Sequence, residues 1–70
     1  MEQSEIFELI IRADEKLKYA TDERSQQRRG QARELLEIAL GEAKAIGNQP
    51  LVEQAERRLA DLDGLEGGRG

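Results

Sequence analysis

Apolar residues recur along the middle of the chain at the spacing of one helix face. Between Gly30 and Asn48, placing successive residues about 100° apart brings small and aliphatic side chains to one side. They are Ala32, Leu35, Leu36, Ala39, Leu40, Ala43 and Ile46. Glu34, Glu37 and Lys44 fall on the other side. This stretch is therefore predicted to be an amphipathic helix whose apolar side needs cover from another element.

A similar stripe precedes it and predicts a first helix over residues 4–20, with Ser4 as its N-cap. The stripe consists of Ile6, Leu9, Ile10, Ala13, Leu17 and Ala20. Phe7 and Ile11 lie beside it and widen the apolar arc to about 200°, whereas one packing partner covers only about 100°. Helix 1 is thus expected to touch two neighbours, unless Phe7 folds over the edge of the core and Ile11 is an exposed aliphatic residue.

Turn signals divide the rest of the chain into two further helices. Residues 21–29 lack glycine and proline and favour a second helix over 23–46. Their polar character leaves open an extended loop, with the helix beginning at Gly30. Gly47 and Asn48 mark the stop of this helix. Pro50 is placed at the first position of a third helix over 50–62, with Asn48 or Gln49 as its cap. The short turn makes the second and third helices antiparallel neighbours.

The third helix completes the predicted fold, an all-α three-helix antiparallel bundle. Its apolar side is formed by Leu51, Val52, Ala55, Leu59 and Leu62. Asp63 and Gly64 are expected to end it, with Leu65 folding back on the last turn. Residues 1–64 are therefore predicted to form one helical domain, followed by a flexible tail at 65–70. So short a chain has a thin core and commonly gains stability by association.

Composition excludes most catalytic and metal-binding chemistry. The chain has no cysteine and no histidine, which removes thiolate nucleophiles, imidazole bases and the common zinc ligand sets. The hydroxyl residues Ser4, Thr21 and Ser25 have no base beside them, and the acidic segment 61–66 lacks the spacing of a calcium loop. We therefore expect no enzyme activity, no cofactor and no metal site.

The charges are distributed unevenly. The net charge of −4 disfavours general nucleic-acid binding. One basic cluster nevertheless forms two like-charged i,i+4 pairs that an anion would relieve. It consists of Arg24, Arg28, Arg29 and Arg33. The cluster is a candidate patch for nucleic acid, a phosphate ligand or an acidic protein surface, unless nearby acids neutralise it. Those acids are Asp22, Glu23, Glu34 and Glu37.

Neither a membrane nor a secretory pathway is indicated. No segment approaches the ~20 apolar residues that span a bilayer, and residues 1–16 lack the basic start and apolar run of a secretory signal. The chain is predicted to be cytoplasmic, without a membrane partner.

Residues 30–62 resemble tetratricopeptide-repeat sequence. Ala32, Leu36 and Ala39 match the spacing in the second helix of one repeat, and Leu59 with Ala60 is similar to the large-small pair of the helix that follows. The resemblance implies a helical interaction module without catalysis. It covers about one repeat and a half, fewer than the three that repeat arrays need. The chain is expected to be either a small protein or a capping unit of a longer array.

Together these patterns predict a protein that works by association. Helices 1 and 2 carry more apolar surface than three helices can hide, so the chain is expected to form a homodimer or to dock on a larger protein. The expected interface consists of Phe7, Ile11, Tyr19, Leu35 and Ile38. The alternative function is binding of nucleic acid or a phosphate ligand through the four arginines.

Overall fold

The structure consists of three helices, α1 (Gln3–Lys18), α2 (Ser25–Ala45) and α3 (Gln49–Gly67). This computed structural model describes the backbone of residues 1–18 and 25–67 and the side chains of residues 1–18 and 25–64. α1 and α3 each pack along α2, whereas α1 and α3 touch one another only slightly. The molecule is accordingly flattened, 36 × 22 × 13 Å. The all-α three-helix fold is confirmed, and α2 is its central element.

All three helices contribute to a thin core. The buried residues are Ile6, Ile10, Ala13, Ala32, Leu36, Ala39, Ala43, Leu51, Val52, Ala55 and Leu62. Five leucines pack against them while half-buried: Leu9, Leu17, Leu35, Leu40 and Leu59. Because Ala32, Ala39 and Ala43 form the line of contact on α2, the neighbouring helices can approach it closely. The large side chains Ile6, Ile10, Leu36 and Leu62 are fully buried around this line of contact.

The start of α1 differs from the prediction, because Ser4 is not its N-cap. The backbone N–H of Ile6 donates to the carbonyl of Glu2 over 3.0 Å, which makes Glu2 the capping residue. The backbone N–H of Glu2 donates to Glu5 Oε1 over 2.8 Å, as in one half of a capping box. The serine prediction was wrong because the carboxylate at the third helical position fixes the start two residues earlier.

The basic segment before Gly30 is helical from Ser25 onward. The alternative of an extended loop with a helix beginning at Gly30 is therefore wrong for residues 25–29, where glutamine and arginine are good helix formers. Residues 19–24 lie outside the described residues. The predicted end of helix 1 at residue 20 and the predicted start of helix 2 at residue 23 fall within that gap.

The predicted stop of α2 is confirmed as a Schellman motif. Gly47 has a φ of 69°, the left-handed conformation that glycine adopts without a steric penalty. The Gly47 N–H donates to the carbonyl of Lys44 over 3.1 Å, and the Asn48 N–H donates to the carbonyl of Ala43 over 2.9 Å. These two bonds satisfy carbonyls that the end of the helix would otherwise leave open.

Asn48 also begins α3. Its Oδ1 accepts from the Leu51 N–H over 3.2 Å, and its carbonyl accepts the first helical bond from the Val52 N–H over 3.0 Å. Asn48 is therefore the N-cap, so Gln49 takes the first helical position and Pro50 the second. The predicted position of Pro50 was one residue off, which the helix tolerates because no first-turn N–H has an intrahelical partner.

The end of α3 lies beyond the prediction. The helix passes through Asp63 and Gly64 to Gly67, and Gly47 is the only glycine with positive φ among the described residues. Gly64 therefore does not act as a stop, since a glycine within a helix costs only about 1 kcal/mol. Arg33 Nη2 lies 2.7 Å from Asp63 Oδ1 and links this end of α3 to α2. Part of the predicted tail is thus helical, while the Leu65 side chain and residues 68–70 lie outside the described part.

Candidate functional site

One ion pair shows which side of α1 faces α3 and which side faces away from it. Arg58 Nε on α3 donates to Asp14 Oδ1 over 2.8 Å, so the side of α1 that carries Asp14 faces α3. Phe7 lies seven residues earlier, on the same side of the helix. Arg12 and Lys16 are each two residues from Asp14 and lie on the opposite side. We call these the α3 side and the outer side of α1.

The predicted apolar flank lies exposed on the α3 side. Phe7 is 46% exposed and Ile11, one turn later, is 37% exposed. Phe7 borders a groove of about 630 Å³ at the first turns of α1 and α3, where Pro50 and Leu51 form part of the opposite wall. Phe7 is thus about half covered and lies near the core residue Leu51. The alternative in which Phe7 folds over the edge of the core and Ile11 is an exposed aliphatic residue therefore stays open.

This groove continues along α3. A second depression of about 670 Å³ is lined by Asp14 on one side and by Pro50, Gln54, Arg57 and other α3 residues on the other. Pro50 and Gln54 line both depressions, so they form one surface feature, which we call the α1–α3 groove. It exists because α1 and α3 both pack on α2 and hardly on each other.

The other predicted interface residues do not join Phe7 and Ile11. Leu35 is half-buried against the core and lines a separate groove with Arg12 and Lys16, on the outer side of α1. Ile38 is 49% exposed and lies nearly one turn after Leu35 on α2. Tyr19 lies outside the described residues. The five predicted residues therefore do not form one surface.

Two further large apolar residues are exposed. Met1 is 49% exposed and Ile46 is 44% exposed. The Met1 ammonium lies 3.5 Å from Glu42 Oε1, which places the start of α1 beside the last turn of α2. Both residues therefore lie at the end of the molecule where Phe7 meets the α2–α3 turn. The helical pattern places Ile46 on the apolar face, but Ile46 lies beyond the last residue of α2, directly before the glycine stop.

The predicted arginine cluster is divided between two sides of α2. Arg33 pairs with Asp63 on α3, whereas Arg28 lines the outer groove with Arg12 and Lys16. Arg28 and Arg33 are five residues apart, which separates them by about 140° around a helix. Arg29 is half-buried, and Arg24 lies outside the described residues. The four arginines therefore do not present one patch. Arg28 belongs instead to a basic cluster with Arg12 and Lys16 of α1. This cluster could not be predicted, because its residues are far apart in the sequence.

The comparisons with known proteins find no relative. No protein-family model matches the chain, and searches of curated proteins and of solved structures give no match. The tetratricopeptide-repeat resemblance therefore stays a prediction. Within the described part of the chain, no three acidic side chains converge as metal ligands would. None of the described helices combines the length and the apolar character that a membrane crossing requires.

Proposed function

We propose that this chain is a non-catalytic protein–protein interaction module that self-associates through the α3 side of α1. The observation that carries the proposal is the exposure of Phe7, which borders the α1–α3 groove, and of Ile11, one turn later on α1. Large apolar side chains that lie together on a surface commonly mark an interaction site. A second copy is the first expected partner, because dimers with twofold symmetry are the commonest closed assemblies.

The exposed area sets the strength that the association can have. Fully burying a Phe or Ile side chain contributes about 1.5–3 kcal/mol, so covering the exposed part of either residue contributes about 1 kcal/mol. A symmetric dimer covers four such side chains, about 4 kcal/mol, which is less than the roughly 8 kcal/mol of a micromolar complex even before the entropy cost of association is counted. Self-association is therefore expected to be weak. Experiments should therefore extend from micromolar to millimolar concentrations.

A larger partner protein is the other form that this function can take. The resemblance of residues 30–62 to tetratricopeptide repeats supports it, because repeats of that family are interaction modules. In such a complex the same flank would meet a foreign surface in place of a second copy. Association of the purified chain with itself separates the two forms of the proposal.

A matched pair of isoleucine substitutions tests the surface itself. Ile11→Asp places a charge on the proposed flank, whereas Ile38→Asp makes the same change on α2 at a site of comparable exposure, 49% against 37%. Light scattering after size exclusion should show weaker association for Ile11→Asp and for Phe7→Asp, and unchanged association for Ile38→Asp. Circular dichroism controls for folding. Loss of association in Ile38→Asp alone would reject the α3 side as the interface.

A further inference from the structure

The outer side of α1 carries a basic cluster that spans two helices. Arg12 and Lys16 of α1 and Arg28 of α2 line a groove of about 420 Å³, with Leu35 and Glu15 among its walls. Lys16 and Arg28 also line an adjoining pocket of about 180 Å³. The two depressions share these two cations and therefore form one feature, which we call the outer groove.

The described side chains that line the smaller pocket all carry N–H donors. Its walls are Lys16, Arg28, Gln27 and Gln31, which together offer an ammonium, a guanidinium and two amides. Lys16 and Arg28 are both half-buried. Such a set of donors suits an anion with several oxygen atoms.

Among the described residues, the cations of the outer groove form no ion pair. The ion pairs found among the described residues join Met1 to Glu42, Arg33 to Asp63 and Arg58 to Asp14. None of them involves Arg12, Lys16 or Arg28. In a chain with a net charge of −4, the three cations outnumber Glu15, the one acid among the described walls of the groove, so the groove carries a local positive field. A bound anion would relieve their mutual repulsion.

We propose that the outer groove binds a phosphomonoester. Lys16 and Arg28, with the amides of Gln27 and Gln31, would hold the phosphate oxygens, since a phosphate group offers three strong acceptors where a carboxylate offers two. The ester's apolar part would lie along Leu35 in the wider part of the groove. The site is on the opposite side of α1 from Phe7, so it is independent of the proposed self-association.

Titration with phenyl phosphate, followed by ¹⁵N NMR of the full chain, tests the site. Chemical-shift changes are expected at the side-chain amides of Gln27 and Gln31, and inorganic phosphate should bind more weakly because it has no apolar part. Lys16→Gln and Arg28→Gln should each weaken phenyl phosphate binding at least about tenfold, the loss expected for a charge-assisted hydrogen bond. Arg57→Gln removes the same charge from the α1–α3 groove and should change the affinity less than about twofold.

The pH dependence of binding gives a second readout. A phosphomonoester gains its second negative charge with a pKa of about 6, so binding should be tighter at pH 7.5 than at pH 5.5. The chain has no histidine, the side chain that ordinarily titrates between these values, and the terminal ammonium of Met1 lies at the far end of α1 beside Glu42. Loss of affinity on acidification therefore reports the ligand.

Four results would overturn the proposal. The first is the absence of saturable binding at millimolar phenyl phosphate, and the second is equal weakening by Arg57→Gln and Arg28→Gln, which would indicate general charge attraction. The third is equal affinity for inorganic phosphate, which would indicate an adventitious ion only. The fourth is tighter binding of an oligothymidylate that falls steeply with salt, which would assign the cluster to a nucleic-acid backbone. Unchanged thermal unfolding of the variants shows that they remain folded.

Discussion

Two glycines of this chain should respond in opposite directions to the same substitution. Gly41 lies within α2, whereas Gly47 occupies the left-handed position that ends it. A Cβ added at either position would meet no atom within 4 Å beyond its own helix and chain neighbours. The effect of alanine at each site is therefore set by backbone conformation and not by packing.

The expected magnitudes follow from that difference in conformation. Gly41→Ala should stabilise the protein by about 0.8–1 kcal/mol, because alanine loses less chain entropy than glycine in a helix. Gly47→Ala should destabilise it by about 1–2 kcal/mol, the cost of a left-handed residue that carries a Cβ. The two variants should differ by about 2–3 kcal/mol. Domains of this length have total stabilities of roughly 3.5–10 kcal/mol, so the difference is easily measured.

Urea unfolding followed by circular dichroism at one fixed protein concentration measures both effects, since association also shifts apparent stability. In thermal unfolding, a change of 1 kcal/mol in the free energy of unfolding shifts Tm by about 4–8 °C for a domain of this size. Stabilisation by Gly47→Ala would refute the left-handed turn. Destabilisation by Gly41→Ala would refute the open surroundings of Gly41 and would indicate that another chain approaches α2 there.

Two further substitutions test the core and the α2–α3 turn. Leu36→Ala should cost about 2–5 kcal/mol, because Leu36 is fully buried on the helix that contacts both others; a loss below about 1 kcal/mol in urea unfolding would contradict a packed core. Asn48→Ala should cost about 1 kcal/mol through loss of the N-cap bond to the Leu51 N–H, and Asn48→Asp should retain most of it. Equal stability of Asn48→Ala and wild type in the same assay would rule out the cap.

Structural features that depend on residues close together in the chain could be predicted from the sequence. The apolar faces of all three helices follow from helical periodicity, and the stop at Gly47 follows from local backbone chemistry. The errors lie at helix ends that other contacts decide. Glu5 fixes the start of α1 through a side-chain bond to Glu2, and α3 continues past Gly64 beside the Arg33–Asp63 pair.

The candidate sites could be predicted only in part, because they depend on which side of α1 faces α3. Periodicity placed Phe7 and Ile11 outside the main stripe, and both are exposed. It could not show that Leu35 lies on the other side of α1, nor that Arg28 meets Lys16 of a different helix. Those relations arise from the packing of α1 and α3 around α2, which no local pattern encodes.

Sedimentation equilibrium of the wild-type chain across micromolar to millimolar concentrations measures self-association without any substitution. A reversible increase in mass from one chain to two is expected, because Phe7 and Ile11 stay exposed in a single copy. A folded monomer throughout that range would contradict self-association through the α3 side of α1.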